Sequence, residues 1–322
     1  AEGNWEGQTI LNRGLQEGLG EAAAEAALAD DRAALLARRA GRVRPGWDDK
    51  VLADWNGLAI AALAEAGMEI DEAGWIAAAR RAFAFIRDNM QPEGRLHHAA
   101  RAGRVRHPAM LEDLANMAQD ALALFEATGD PDTLEQAKRW VEELDLRFWD
   151  GEAGGYFATA DDAEALILRN KSVFDAAVPA GNGTMVGVLA RLFYLTGESG
   201  YLDRAEALVK AFAGELERNF FPLASFLNGI DLLGDCLQAV IVGRRDSPAT
   251  AALARVVLDR SLPNRLLTIV DPAASLPPGH PAADKQTIDG QPTAYLCAGL
   301  TCGAPTTDPA ALARALEAVK AG

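Results

Sequence analysis

Three clusters of polar side chains are equipped to handle a polyhydroxylated ligand. The first is Trp47-Asp48-Asp49-Lys50, followed by Asp54-Trp55-Asn56-Gly57. Carboxylates and amides bridge to hydroxyl groups, and an indole offers a face on which a sugar ring stacks. Asp48, Lys50, Trp55 and Asn56 are therefore candidate substrate-binding residues and Asp49 a candidate catalytic one. The same residues have a plainer use, with Asp48 or Asp49 capping a helix that starts at Lys50 and Trp55 in the core. The second cluster is Glu112-Asp113, shortly after Pro108. Glycosyl transfer needs two carboxyl groups, one as proton donor and one as base or nucleophile, and this pair could supply them. In the first turn of a helix either carboxylate would also complement the dipole with no catalytic purpose. The third cluster runs from Lys171 to Gly183 through Asp175, Pro179 and Asn182. Here Lys171 and Asn182 are binding candidates and Asp175 a fourth catalytic candidate, because loops of fixed geometry often carry function. Read structurally, Lys171 and Asp175 form an ion pair and Asn182 is an N-cap.

Other chemistries are less well supplied. His97, His98, His107 and His280 lie in Gly- and Pro-rich loops without a partner at metal-ligand spacing, so no metal is expected. Neither G-x-G-x-x-G nor G-x-x-x-x-G-K-[ST] occurs, and no cofactor is expected. Cys236, Cys297 and Cys302 are too few for a disulfide framework, and Cys297 and Cys302 are not spaced as C-x-x-C, which points to reduced thiols in a reducing compartment. A net charge of −15 disfavours nucleic acid as a partner. No run approaches the roughly 20 apolar residues of a membrane span, and the N-terminal residues lack a signal-peptide core. The simplest address is the cytoplasm.

The elements that must position these clusters repeat. LEDLANMAQDALALFEATG, then Asp130-Pro131 and LEQAKRWVEELDLRFW, describe one helical hairpin from Leu111 to Trp149, punctuated by Gly129 and by Pro131 at the next helix start. GNGTMVGVLARLFYLTG and ESGYLDRAEALVKAFAGELERNF repeat it, with Thr196-Gly197 aligned on Thr128-Gly129. DDKVLADWNGLAIAALAEAG and WIAAARRAFAFIRDNM form an earlier copy when Gly67 is set against Gly129. Gly-rich excursions after the first two copies, PEGRLHHAARAGRVRHP and DGEAGGYFATADD, read as short hairpins. Broad apolar faces on these helices require stacking of hairpin on hairpin. Residues 15–41 read as one long charged helix or two shorter ones. After residue 235 the pattern changes: LQAVIVG, a helical stretch and RLLTIV make a βαβ unit, TAYLCAG adds a strand, and DPAALARALEAV is a closing helix.

The strings RPGWDDKVLADWNGLAIAALAEAG, LEDLANMAQDALALFEATGD, FWDGEAGGYF, KSVFDAAVPAGNG and CAGLTCGAPTTDP resemble the thioredoxin-domain-containing family that includes spermatogenesis-associated protein 20. The resemblance implies a six-hairpin α/α-toroid similar to those of N-acylglucosamine 2-epimerases and unsaturated glucuronyl hydrolases, preceded in the family by a thioredoxin-like domain. This chain starts inside that pattern, so the thioredoxin-like domain and the first hairpins are expected to be missing from it. The family's activity is not settled, and fold likeness does not set reaction type.

The fold expected is mainly α: helical hairpins of an α/α-toroid over residues 1–235, forming an incomplete ring, and a small α/β segment over 236–322. The expected function is binding of, or action on, a sugar or uronic-acid-type ligand, by a glycosidase- or epimerase-like route if the domain is catalytic. The alternative is a non-catalytic scaffold serving a partner, the missing thioredoxin-like domain or a second copy of the chain.

Overall fold

Each repeat folds as an antiparallel helical pair. In the computed structural model, which describes residues 3–14, 18–164, 167–274, 276, 279–299 and 301–320, the chain divides into two compact units, Ala1–Asp49 and Lys50–Gly322. The first unit contains helix α1 (Ala22–Ala40), steadied by an ion pair of 2.7 Å between Arg13 and Glu25. Helix α1 falls within the helical span expected over 15–41, of which residues 15–17 lie outside the described residues.

The second unit opens with strand β1 (Val51–Leu52) and the pair α2 (Ala53–Glu69) and α3 (Ala73–Asn89). Strands β2 (His97–Arg101) and β3 (Arg104–Pro108) follow, then α4 (Leu111–Thr128) with α5 (Pro131–Arg147), α6 (Gly181–Thr196) with α7 (Ser199–Arg218), and α8 (Ala224–Gly234). Helices α2, α4, α6 and α8 pack side by side as an inner row, and α3, α5 and α7 each pack on the helix that precedes them. This is an arc of the α/α-toroid kind. Because every hairpin returns the chain, α2, α4 and α6 run in one direction and present their N-terminal ends together.

Small residues set the spacing of the row. A Cβ on Gly57 of α2 would stand 2.8 Å from the Asn116 carbonyl carbon of α4, and one on Gly229 of α8 would stand 2.7 Å from the Val186 Cβ of α6. Around these contacts Ile60, Ala64, Leu114, Met117, Met185 and Leu189 are buried in one continuous apolar core. On the outer layer Trp140 meets Phe83 edge-on at 5.9 Å.

The repeated Thr-Gly has one structural meaning. Thr128 Oγ1 donates to Leu124 O at 2.6 Å and accepts from Asp130 N–H, while Thr196 Oγ1 donates to Leu192 O at 2.8 Å and accepts from Glu198 N–H. Gly129 and Gly197 then turn the chain with φ of 71° and 75°, a left-handed conformation that costs a glycine little. Gly67 does not do the same, contrary to its alignment on Gly129. It is buried inside α2 against Ile76, the helix runs on to Glu69, and Asp71 takes the left-handed turn at φ 57°.

The excursion after α3 is the expected hairpin: β2 pairs antiparallel with β3 and, on its other side, with β1. After α5 the described residues form an isolated bridge, Trp149 to Tyr156, and no ladder. The change of pattern near residue 236 marks a second apolar cluster, built on a sheet ordered β5-β4-β6-β7 from β4 (Leu237–Val242), β5 (Arg265–Val270), β6 (Thr293–Ala298) and β7 (Thr301–Cys302). Strands β4 and β5 are parallel, joined through α9 (Pro248–Leu258), and β6 is antiparallel to β4. Helix α10 (Pro309–Lys320) packs against α9.

Arginines from this segment cap the inner helices. Arg245 donates to the Glu126 and Ala127 carbonyls ending α4, and Arg255 to the Met68 and Glu69 carbonyls ending α2. A cation there satisfies orphan carbonyls and complements the helix dipole.

The expectation of free thiols is corrected. Cys297 and Cys302 lie directly opposite each other in the β6–β7 register, Cα atoms 3.9 Å apart, and are disulfide-bonded. Antiparallel strand pairing joins residues that C-x-x-C spacing would not, and the reducing-compartment reading loses its support. Burial pushes the Cys236 thiol up to about 12, so it stays protonated and unsuited to nucleophilic attack. Among the described residues, no helix is long and apolar enough to cross a membrane.

Candidate functional site

The N-terminal end of α4 gathers Asp54, His98, Glu112 and Asp113. Asp113 occupies its first turn with a side chain only 1% exposed. One carboxylate oxygen accepts from Asp54 N–H at 3.1 Å and the other from Met110 N–H at 2.8 Å. The second bond is half of a capping box, the first ties α4 to the start of α2. His98 Nδ1 lies 2.9 and 3.1 Å from the same two oxygens. The hairpin makes this possible, because β2 pairs with β1 beside the start of α2 while β3 leads directly into α4. A histidine fifteen residues from its carboxylate thus arrives on it through strand pairing.

Asp113 fixes the imidazole. A carboxylate at Nδ1 selects the tautomer protonated there and leaves Nε2 to accept a proton; Nε2 has no hydrogen-bond partner among the described residues. The bond to Asp113 raises the His98 pKa above its usual value, burial opposing it and the Asp113 and Asp54 charges adding to it. Asp54, also in this group, accepts from Trp55 N–H at 2.8 Å. Burial raises its carboxyl, the Trp55 bond opposes the rise, and the Asp113 charge adds to it. Glu112 is raised mainly by burial, with the Asp113 and Asp54 charges contributing. The cluster therefore combines two carboxyls biased toward the neutral form with an imidazole biased toward the cation, the separation of pKa values on which acid–base pairs rely.

One ligating atom from each of Asp54, His98 and Asp113 lies within 4.8 Å of the others, close enough to share a cation. Asp113, however, already accepts from two backbone N–H groups and the imidazole, which suits it to holding a proton-transfer group in place.

The residues singled out in the sequence are distributed as follows. Glu112 and Asp113 stand in this cluster. Trp55 is 61% exposed in the first turn of α2. Asn56 turns back to donate to Leu52 O, and the exposed Lys50 is close enough for its charge to act on His98. Asp48 and Asp49 are exposed residues at the end of the first unit. They do not cap a helix at Lys50, because β1 intervenes and α2 starts at Ala53. In the third cluster both expected local roles are replaced. Lys171 pairs with Asp150 and donates to Gly154 O, which holds the Asp150 carboxyl down to about 2. Asp175 instead accepts from Ala180 N–H, from Ser225 N–H and from Ser225 Oγ–H, capping α8. Asn182 is no N-cap: fully buried in the first turn of α6, it exchanges hydrogen bonds with the Tyr156 backbone and donates to Ser172 O.

His98 was the residue that sequence reasoning did not select. Its signal was the β-prone excursion directly before an acidic helix start, and His97, His98 and His107 lie on β2 and β3 rather than in loops.

Over 96% of its length the chain is 30% identical to spermatogenesis-associated protein 20 of Homo sapiens, and over 98% it is 30% identical to the Rattus norvegicus protein of that name. The chain is a relative of spermatogenesis-associated protein 20. It spans about two fifths of the length of these curated relatives, 39% of the human protein and 43% of the rat one. No family model matches the chain. Similar solved structures include an α-mannanase from Bacteroides thetaiotaomicron, with TM-score 0.48 and 17% identity over 66% of this chain and 59% of that one. Another is the cellobiose 2-epimerase of Spirochaeta thermophila, with TM-score 0.45 and 16% identity over 53% and 45%.

Proposed function

We propose that the N-terminal ends of the inner helices form an acid–base centre acting on a small, hydroxyl-rich, sugar-like ligand. The observation that carries this reading is the bidentate hold of Asp113 on His98 Nδ1, with Nε2 left unpartnered. Nε2 takes a proton from a ligand hydroxyl or carbon acid, and Asp113 stabilises the imidazolium that results. Glu112 or Asp54, each raised by burial, gives a proton to the other side of the reacting group. General acid–base catalysis of this type contributes about 10²–10⁴ in rate. The exposed Trp55 offers a stacking face, and Lys50 and Asn56 stand beside it as binding residues. Asp175 and Asn182 hold the entries to α8 and α6 in position, Lys171 anchors the preceding loop, and Asp48 and Asp49 are assigned no further part.

A second reading is a scaffold without catalysis. It is favoured by the work Asp113 and Asp175 do as helix caps, which a purely structural role explains. Thermal shift with a panel of neutral sugars and uronic acids separates the two. The proposal expects saturable stabilisation by at least one member, weakened in Trp55→Ala; no response to any member favours the scaffold.

A further inference from the structure

The Cys297–Cys302 disulfide stands at the wall of a cavity. Along β6, Ala294 and Leu296 are buried in the second apolar cluster with Leu253 and Leu312, so Cys297, at the alternate position, is turned to the opposite face of the sheet. There a cavity of about 320 Å³, within the range of small-molecule sites, is lined in part by Phe193 and Tyr194 from the end of α6 and by Lys285, Cys297 and Cys302. The two sulfurs differ in access. Cys297 is 4% exposed, whereas Cys302 is exposed on β7, the edge strand of the sheet.

The backbone around the disulfide is held without it. Gly299 N–H donates to Cys236 O at 3.1 Å, Gly303 N–H donates to Leu296 O at 2.9 Å, and Ala294 and Thr306 exchange a pair of bonds. The bridge itself spans a sequence separation of 5, and the chain-entropy stabilisation from a disulfide is least for the shortest loops. Exposed disulfides are the labile ones, exchanged by thiols rather than kept as staples. Lys285 is the one charged residue among the described lining residues, and Asp284, whose charge acts on it, is not among them. Its ammonium donates to Pro281 O and lies 5.6 Å from the Tyr295 ring. A cation beside sulfur favours the thiolate, the form that attacks and the form that leaves. Cys236, buried with its thiol held protonated, supplies no competing thiolate.

We propose that the Cys297–Cys302 disulfide and its cavity form a thiol–disulfide exchange site for a low-molecular-weight thiol, with Cys302 the sulfur attacked and Lys285 stabilising the sulfur anions. The incoming thiolate attacks Cys302 Sγ and a new S–S bond forms there. The Cys297–Cys302 bond breaks, its electron pair passes to Cys297 Sγ, and that thiolate takes a proton from solvent. A second thiolate then attacks the incoming sulfur of the mixed disulfide and releases Cys302, which is protonated in turn. Two small thiols are oxidised to their disulfide and the protein disulfide is reduced to two thiols. The site uses none of the residues of the acid–base centre and does not rest on that reading.

Glutathione is the probe that tests it. In graded mixtures of its reduced and oxidised forms, with free thiols trapped by alkylation and located by mass spectrometry, the native chain should pass reversibly between disulfide and dithiol with its circular dichroism unchanged. Oxidised glutathione should add to Cys302 in Cys297→Ser at least about tenfold faster than to Cys297 in Cys302→Ser, because only Cys302 is exposed. Lys285→Gln should slow reduction of the disulfide by about fivefold, what a unit charge roughly 4 Å away gives in water-like dielectric. A disulfide reduced only once the chain is unfolded in urea, equal rates of addition in the two cysteine variants, or a reduction rate untouched by Lys285→Gln overturns the inference.

Discussion

Asp120 is fully buried in α4, and neither of its carboxyl oxygens has a hydrogen-bond partner. Burial raises its pKa well above the usual carboxylate value, more than the nearby Ala121 N–H lowers it. The folded protein therefore keeps a proton that the unfolded chain loses near pH 4. Stability should be greatest below that point and fall as pH rises from about 4 toward the folded pKa, with a limiting slope of about 1.4 kcal/mol per pH unit from this one group. Asp120→Ala removes the liability. Taking away a buried polar group without a partner gains about 1–3 kcal/mol, and alanine adds roughly 0.5 kcal/mol of helix propensity. The small void left by the carboxyl gives back about 0.7 kcal/mol, at ~24 cal/mol per Å³ over roughly 30 Å³. The variant should be more stable than the parent by about 1–3 kcal/mol near pH 4, and the gap should widen as pH rises toward the folded pKa, by up to about 1.4 kcal/mol per pH unit. Urea denaturation at pH 4.5, 6, 7.5 and 9 measures this directly. A variant less stable than the parent at every pH, or a gap that does not change with pH, would refute the argument that Asp120 is an unpaired neutral acid.

Three further outcomes follow from other contacts. In Asp113→Asn the His98 pKa should fall, observable by NMR titration of the imidazole. The parent's His98–Asp113 stabilisation, present below about pH 6.5 and lost as pH rises through the raised folded value, should be absent from the variant. Asp175→Ala removes the acceptor for Ser225 N–H and Ala180 N–H and should cost about 1–2 kcal/mol in chemical denaturation, with hydrogen exchange accelerated in α8. Gly57→Ala, which forces a Cβ onto the α4 backbone, should cost more than Gly214→Ala, where nothing stands in the way, and the difference in Tm reports it.

How far the sequence could be read depends on the range of the interactions involved. Thr128-Gly129 and Thr196-Gly197 are local code: a hydroxyl, a carbonyl four residues back and a left-handed glycine define the turn within six residues. The same spacing misassigned Gly67, because there the glycine is kept for close packing against Ile76 and not for a turn. The βαβ unit was legible from two short β-branched runs on either side of a stretch at helical period, but the Cys297–Cys302 pairing needed the β6–β7 register. At the candidate site, Glu112 and Asp113 stood out as an acidic helix start. His98 did not, because its approach to Asp113 depends on β1–β2 pairing, which no local spacing reveals. The exchange of Lys171–Asp175 for Lys171–Asp150 has the same origin: residues 21 apart meet because the Lys171 segment docks on the excursion after α5, with Ala158 N–H donating to Asn170 O.

The acid–base centre is tested most directly by NMR detection of chemical change in a sugar and uronic-acid panel incubated with the parent protein and with His98→Asn, which keeps a donor toward Asp113 and loses the titrating ring. The account predicts conversion of at least one member by the parent and a rate at least about 100-fold lower in the variant, with binding retained. Conversion at an undiminished rate in His98→Asn, or a ligand bound but never converted by the parent, would contradict it.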